Sequence, residues 1–279
     1  MLLTTRRSRY FLASAMIVLG ACSSGAEVAS SDEPTDVAVT AEVAEVIEEA
    51  EVEAAPTPDT APAIEAGGVA QGTVEINGVA IDYVTSTPDG FEIGNDAPLL
   101  LAFPPGPQDL GLTQSIVQGT YNAEAQRLGW VVISPAATDE GLYFQGSEEL
   151  VPGLLDWVET WVTPEGGAPH VAGISNGGIS AFRYSALNPD RVQSLITFPG
   201  FARSSEDQAA LSELADIPVR LFVGGLDTGW ISPAEEAVAS LTGFGGDAEL
   251  TVFEGEGHVM DSTRDGTVVF EQLEDFRVQ

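Results

Sequence analysis

Apolar and polar positions divide the chain into three stretches of different character. Tyr10 to Leu19 is an almost unbroken apolar run, and Arg6, Arg7 and Arg9 stand before it. A basic start followed by an apolar run of this length predicts an export signal over residues 1–22, and the run is short for a membrane span. Residues 23–66 are dominated by Ser, Ala, Glu, Pro and Thr and contain no aromatic residue. From about residue 67 the pattern turns periodic. Thr73 to Val84 alternates apolar and polar residues around Asn77-Gly78, a hairpin with a tight turn.

Beyond the hairpin the periods change. Pro98–Phe103, Trp130–Ser134, His170–Gly173, Val192–Phe198, Pro218–Val223 and Glu249–Phe253 are short apolar runs, as expected of strands buried on both faces. Between them lie helix-like stretches at Thr113–Leu128, Glu148–Val162, Ser175–Leu187, Glu206–Ala215 and Pro233–Leu241, with a proline at the start of the last. A terminal helix is expected from Gly266 to Phe276. An antiparallel hairpin followed by alternating strands and helices predicts an α/β fold: a mostly parallel sheet with helices on both faces. The connection between the Phe198 strand and the Pro218 strand is too short for a large lid, so an open, shallow site is expected.

Charge refines the middle stretch. Glu27 to Glu65 holds twelve acids and no base. Such a segment cannot bury enough apolar surface to order itself, and self-repulsion extends it, so residues 23–66 are expected to be a disordered acidic tether. The chain as a whole has 43 acids against 10 bases, every base an arginine. This balance argues against binding nucleic acid or anionic lipid through charge. Cys22 is the single cysteine, which excludes an internal disulfide and a cysteine-based zinc site. With two histidines far apart in sequence, neither a metal nor another cofactor is expected.

Gly173-Ile174-Ser175-Asn176-Gly177 fits G-x-S-x-G and lies between a predicted strand and a predicted helix, the setting that the motif requires. An abrupt strand-to-helix turn exposes its central side chain and tolerates only small neighbours. Two further strands end in candidate partners. Phe222-Val223-Gly224-Gly225-Leu226-Asp227 delivers an acid, and His258 follows the Glu249–Phe253 run. A histidine can take and return the serine proton near neutral pH, and an aspartate fixes its tautomer. Ser175, Asp227 and His258 are therefore the expected nucleophile, acid and base. Asp247 and Asp261 are rival acids that follow no strand at a glycine turn, and His170, at the opposite edge of the sheet, is expected to be structural.

Residues 67–279 resemble an α/β-hydrolase of the esterase branch. The segment Val171 to Ala181 is similar to the nucleophile segment of polyhydroxybutyrate-depolymerase and feruloyl-esterase-like proteins. Phe103-Pro104-Pro105-Gly106-Pro107-Gln108-Asp109 falls where those proteins carry His-Gly, an oxyanion donor and a Gln-Asp pair. The resemblance implies hydrolysis of carboxylic esters, small-molecule or polymer, through an acyl-enzyme. Gly106 matches the donor position, with Gln108 as the fallback, and the Asn176 N–H is the second donor. Two prolines replace His-Gly. Similarly, Leu19-Gly20-Ala21-Cys22 resembles a bacterial lipobox, which implies lipidation of Cys22 and an extracytoplasmic domain attached to a membrane only by its anchor. Trp230, Phe144 and Phe198 are candidate substrate contacts, and Tyr143, Phe201 and Met260 are expected near the rim. Two other readings stand beside the esterase: a peptidase or amidase with the same triad, and a surface-binding lipoprotein without catalysis.

Overall fold

The structure is a computed structural model and describes residues 60–277. The expected signal, Cys22 and most of the expected tether lie outside the described residues. The last tether residues do not. The Thr60 carbonyl accepts a hydrogen bond from the Trp157 indole at 2.7 Å, and Ala63 N–H donates to the Tyr83 hydroxyl at 2.8 Å. Thr85 and Thr87 donate their hydroxyls to the carbonyls of Ala63 and Glu65. The folded part thus begins ahead of residue 67. Mostly backbone groups hold this stretch, so composition gives no sign of it.

Strands β1 (Gly68–Ile76) and β2 (Val79–Thr87) form the predicted hairpin, with Asn77 and Gly78 at positive φ in its turn. Six more strands follow: β3 (Leu99–Phe103), β4 (Val131–Pro135), β5 (His170–Gly173), β6 (Leu195–Thr197), β7 (Val219–Gly224) and β8 (Ala248–Phe253). The sheet order is β1-β2-β4-β3-β5-β6-β7-β8, antiparallel at the first two pairings and parallel thereafter. The α/β-hydrolase fold expected from the sequence is the fold observed.

The continuous apolar runs serve two cores. Leu99, Leu101 and Phe103 of β3 face one side, with Val171, Leu195 and Leu221. Against them pack α3 (Val151–Val158), α4 (Asn176–Leu187) and α6 (Thr228–Gly243). Leu100 and Ala102 face the other side, with Ala172, Ile196 and Phe222. That side is covered by α1 (Leu110–Ile116), α2 (Asn122–Leu128) and α7 (Thr267–Phe276). A side chain fully buried in this way contributes roughly 1.5–3 kcal/mol, which is why the runs carry almost no polar residue.

Three details differ from the expected pattern. The Thr113–Leu128 helix starts earlier, where Asp109 caps the Leu112 N–H at 2.9 Å, and a π-helical turn at Val117–Tyr121 joins α1 to α2. Pro233 sits inside α6, not at its start, because α6 begins directly at the Asp227 turn. A second, two-stranded sheet pairs Asp96–Ala97 with Thr163–Pro164, too short to leave a period in the sequence. Between β6 and β7 there is only a short helix, α5 (Ser205–Ala209), and a 3-10 turn at Ala210–Leu214.

Candidate active site

Ser175 occupies the turn between β5 and α4 with φ 56° and ψ −116°, a conformation that costs a non-glycine residue about 1–3 kcal/mol and persists only when its surroundings enforce it. The enforcement is visible. Ser175 N–H donates to the Pro199 carbonyl at 2.8 Å, and Gly177 N–H donates to the Ile174 carbonyl at 2.8 Å. A Cβ on Gly173 would meet the Gly177 carbonyl oxygen at 2.1 Å, and one on Gly177 would meet the Phe103 carbonyl oxygen at 2.1 Å. Only glycine lets α4 turn this tightly against β3 and β5.

Two neighbouring strand ends supply the partners. The Ser175 hydroxyl lies 2.8 Å from His258 Nε2, and His258 Nδ1 lies 2.6 Å from Asp227 Oδ2. A tautomer with the proton on Nδ1 satisfies both contacts: the imidazole donates to Asp227 and accepts from Ser175. Asp227 stands at the N-terminal cap of α6, yet its carboxylate makes no cap hydrogen bond and is committed to His258. The rival acids are engaged elsewhere, Asp247 with Arg220 and Asp261 with Arg264. His170 is buried far from this group, its Nδ1 2.7 Å from the Ser194 hydroxyl and its ring edge-on to Trp130.

The segment carrying His258 is held at both ends. At its start, Leu226 N–H donates to the Glu256 carbonyl at 2.8 Å, and a Cβ on Gly224 would strike the Gly257 carbonyl oxygen at 2.2 Å. At its far side the Glu256 carboxylate accepts from Ser262 N–H at 3.2 Å and from the Ser262 hydroxyl at 2.5 Å. These hydrogen bonds pull the Glu256 carboxyl below the usual carboxylate range. Nothing in the sequence singles out this clamp, although Glu256 and Ser262 do bracket the histidine.

Opposite His258 lies the Pro104–Gln108 loop. Pro104, Pro105 and Pro107 have no N–H, so Gly106, at φ 60°, offers the one donor among these four positions. Among the described residues, neither the Gly106 N–H nor the Asn176 N–H finds a backbone acceptor. The Asn176 side chain donates to the Gly106 carbonyl at 2.8 Å and so links the two donors. Gln108 cannot be the fallback donor. Its N–H is taken by the Pro105 carbonyl at 3.1 Å. Its fully buried side chain donates to the Pro104 carbonyl and to the Ser180 hydroxyl and accepts from Tyr143 N–H.

The site is not shallow. A cavity of about 510 Å³ opens beside Ser175 and His258, on the side of the sheet covered by α1 and α7. Of the predicted aromatic contacts, Phe198 lines it. Trp230 does not line it but packs against His258, with ring centroids 4.9 Å apart, and Phe201 packs edge-on against Trp230. Phe144 lines a separate depression under the Arg203 guanidinium. Tyr143, expected near the rim, is buried with its hydroxyl on the Ala136 carbonyl, and Met260 is a cavity wall.

No protein-family model matches the chain, and no curated protein matches it. Solved structures do. A predicted CIB-like hydrolase from Thermoplasma acidophilum aligns with a TM-score of 0.56 at 15% identity, over 75% of this chain and 98% of that one. A ferulic acid esterase aligns with a TM-score of 0.56 at 13% identity, over 75% and 97%. Porphyromonas gingivalis dipeptidyl peptidase 4 aligns with a TM-score of 0.58 at 11% identity, over 76% of this chain and 35% of the peptidase. At these identities the likeness lies in the fold, which hosts more than one chemistry.

Proposed function

We propose that the protein is an extracytoplasmic serine hydrolase of carboxylic esters, attached to a bacterial membrane through Cys22 and carried on the acidic tether. The observation that supports it best is the unbroken hydrogen-bonded line from the Ser175 hydroxyl through His258 to Asp227, at 2.8 and 2.6 Å. In this reading His258 Nε2 takes the Ser175 proton as Oγ attacks the ester carbonyl. The Gly106 and Asn176 N–H groups stabilise the oxyanion. His258 then returns the proton to the departing alcohol, and water hydrolyses the acyl-enzyme by the same route.

The test is turnover of p-nitrophenyl butyrate by the full chain beside Ser175→Ala, together with fluorophosphonate labelling and a peptide p-nitroanilide. Ester turnover and labelling that both vanish in Ser175→Ala are the expected result. Activity on the anilide alone would make the protein an amidase. A folded protein with neither turnover nor labelling would be a binding lipoprotein. The anchor is tested separately: Cys22→Ala moves the protein from the membrane fraction to the soluble fraction.

A further inference from the structure

We infer that this site takes esters of aliphatic, uncharged acyl chains of about octanoyl length, with the chain in the cavity beside Ser175 and the alcohol leaving over Trp230. The inference rests on the ester-hydrolase reading and specifies its substrate.

The cavity volume of about 510 Å³ suits a medium chain and far exceeds what an acetyl group fills. Its walls are branched and flexible aliphatic side chains. One wall is the stripe Leu112, Ile116 and Thr120. Steps of four residues slightly overshoot an α-helical turn and undershoot the wider π-helical turn. The π-helical turn at Val117–Tyr121 therefore brings Thr120 back into line with Leu112 and Ile116. Val259 and Met260, directly after His258, and Ile174, directly before Ser175, also line the cavity. Apart from the His258 imidazole, Phe198 is the one aromatic side chain in the lining, so an aryl acyl group finds little ring surface, whereas an alkyl chain meets aliphatic side chains. Arg264 also lines the cavity, but its guanidinium is paired with Asp261 at 2.9 Å. The full chain carries 43 acids against 10 bases, so a carboxylate-bearing substrate is disfavoured.

The orientation follows from the reacting atoms. The carbonyl oxygen belongs between the Gly106 and Asn176 N–H groups, and the leaving oxygen must come within reach of His258 Nε2. Pro105 and Gly106 both line the cavity, so it opens directly beside the carbonyl position. Trp230 packs against the His258 ring and Phe201 packs on Trp230, and neither lines the cavity. That assigns the cavity to the acyl chain and the Trp230 ring beside His258 to the alcohol.

The experiment compares two ester series with the full chain: p-nitrophenyl esters from acetate to decanoate, and acetates of alcohols from methanol to octanol. Each methylene that enters the cavity should raise kcat/KM by up to about fourfold, so the acyl series should climb steeply to octanoate. The alcohol series should stay within a few fold throughout. In Ile116→Trp, whose larger side chain narrows the cavity, the octanoate-to-acetate ratio of kcat/KM should fall by at least about tenfold. An acyl series that is flat or peaks at acetate overturns the inference, as does steep growth in the alcohol series instead. Should Ile116→Trp fail to fold, the two wild-type series decide alone. Failure of the underlying esterase reading looks different: no ester of either series is turned over, and a fluorophosphonate leaves Ser175 unlabelled.

Discussion

The side chain of Asn176 is hydrogen-bonded to the backbone carbonyl of Gly106 at 2.8 Å, so two residues whose N–H groups find no backbone acceptor among the described residues hold each other in place. A loop of three prolines and one glycine has few internal hydrogen bonds to fix it, and this contact ties it to the start of α4. Asn176→Ala keeps its own N–H but releases Gly106. Loss of a whole oxyanion donor costs about 10²–10³ in turnover, so a displaced one should cost on the order of tenfold to a hundredfold in kcat. KM should move little, because the ground-state ester does not depend on the donor. Asn176→Asp should be worse, since a carboxylate would face the Gly106 carbonyl and the developing oxyanion. Steady-state kinetics on p-nitrophenyl butyrate check both variants, and an unchanged kcat in Asn176→Ala would dismiss the link.

Gln108 supports the same loop from below. Replacing it with Leu leaves the Pro104 carbonyl and the Tyr143 N–H without their partner inside the core, while the Ser180 hydroxyl loses one hydrogen bond and keeps the one it donates to the Asn176 carbonyl. Each buried group left unsatisfied costs about 1–3 kcal/mol, so Gln108→Leu should lose several kcal/mol of stability. Urea denaturation measures the loss. A variant as stable as the wild type would mean that the loop is held by its prolines alone.

Glu256 and Ser262 are expected to position His258 as one unit. Glu256→Ala and Ser262→Ala should each lower kcat severalfold, and the double variant should be no worse than the more damaged single one. Restoration of most activity by Ser262→Thr, which keeps the hydroxyl, would separate positioning from bulk destabilisation. Additive losses in the double variant would show that the two side chains act independently.

Much of this site was legible along the chain because its chemistry sits at strand ends, where local sequence carries the constraint. Gly173 and Gly177 announce the tight turn around Ser175, and the chain has only two histidines to weigh. The α/β-hydrolase fold was legible for the same reason: buried strands leave apolar runs of the right length. What the sequence hid depends on contacts between distant segments. Thr60 to Glu65 look like tether because backbone groups do most of the docking. Phe144 follows β4 as expected, but the loop turns it away from Ser175 and under Arg203. The cavity emerges only when the Leu112–Thr120 stripe meets Val259 and Met260, although that four-residue spacing was present in the sequence.

His170 gives a prediction about stability instead of catalysis. Its ring is buried beside Trp130 and within reach of the Ser194 hydroxyl, and burial lowers its pKa from 6.5 to about 4, against the opposing pull of Glu165; Arg277 lowers it further. In the unfolded chain the same imidazole binds a proton near pH 6.5. Between about pH 4 and 6.5 the unfolded state therefore holds more protons than the folded one, and stability rises with pH across that window. The contribution is complete above pH 6.5 and is lost as pH falls towards 4. From pH 7 to pH 5 the loss from this residue should be about 2 kcal/mol. His170→Gln retains a polar side chain toward Ser194 and does not titrate. Urea denaturation of both proteins at pH 7 and pH 5 isolates the effect, because the other titrating groups are common to the two. The variant should lose about 2 kcal/mol less than the wild type over this range. Equal losses would mean that His170 keeps an ordinary pKa in the folded protein and that burial beside Trp130 does not hold it neutral.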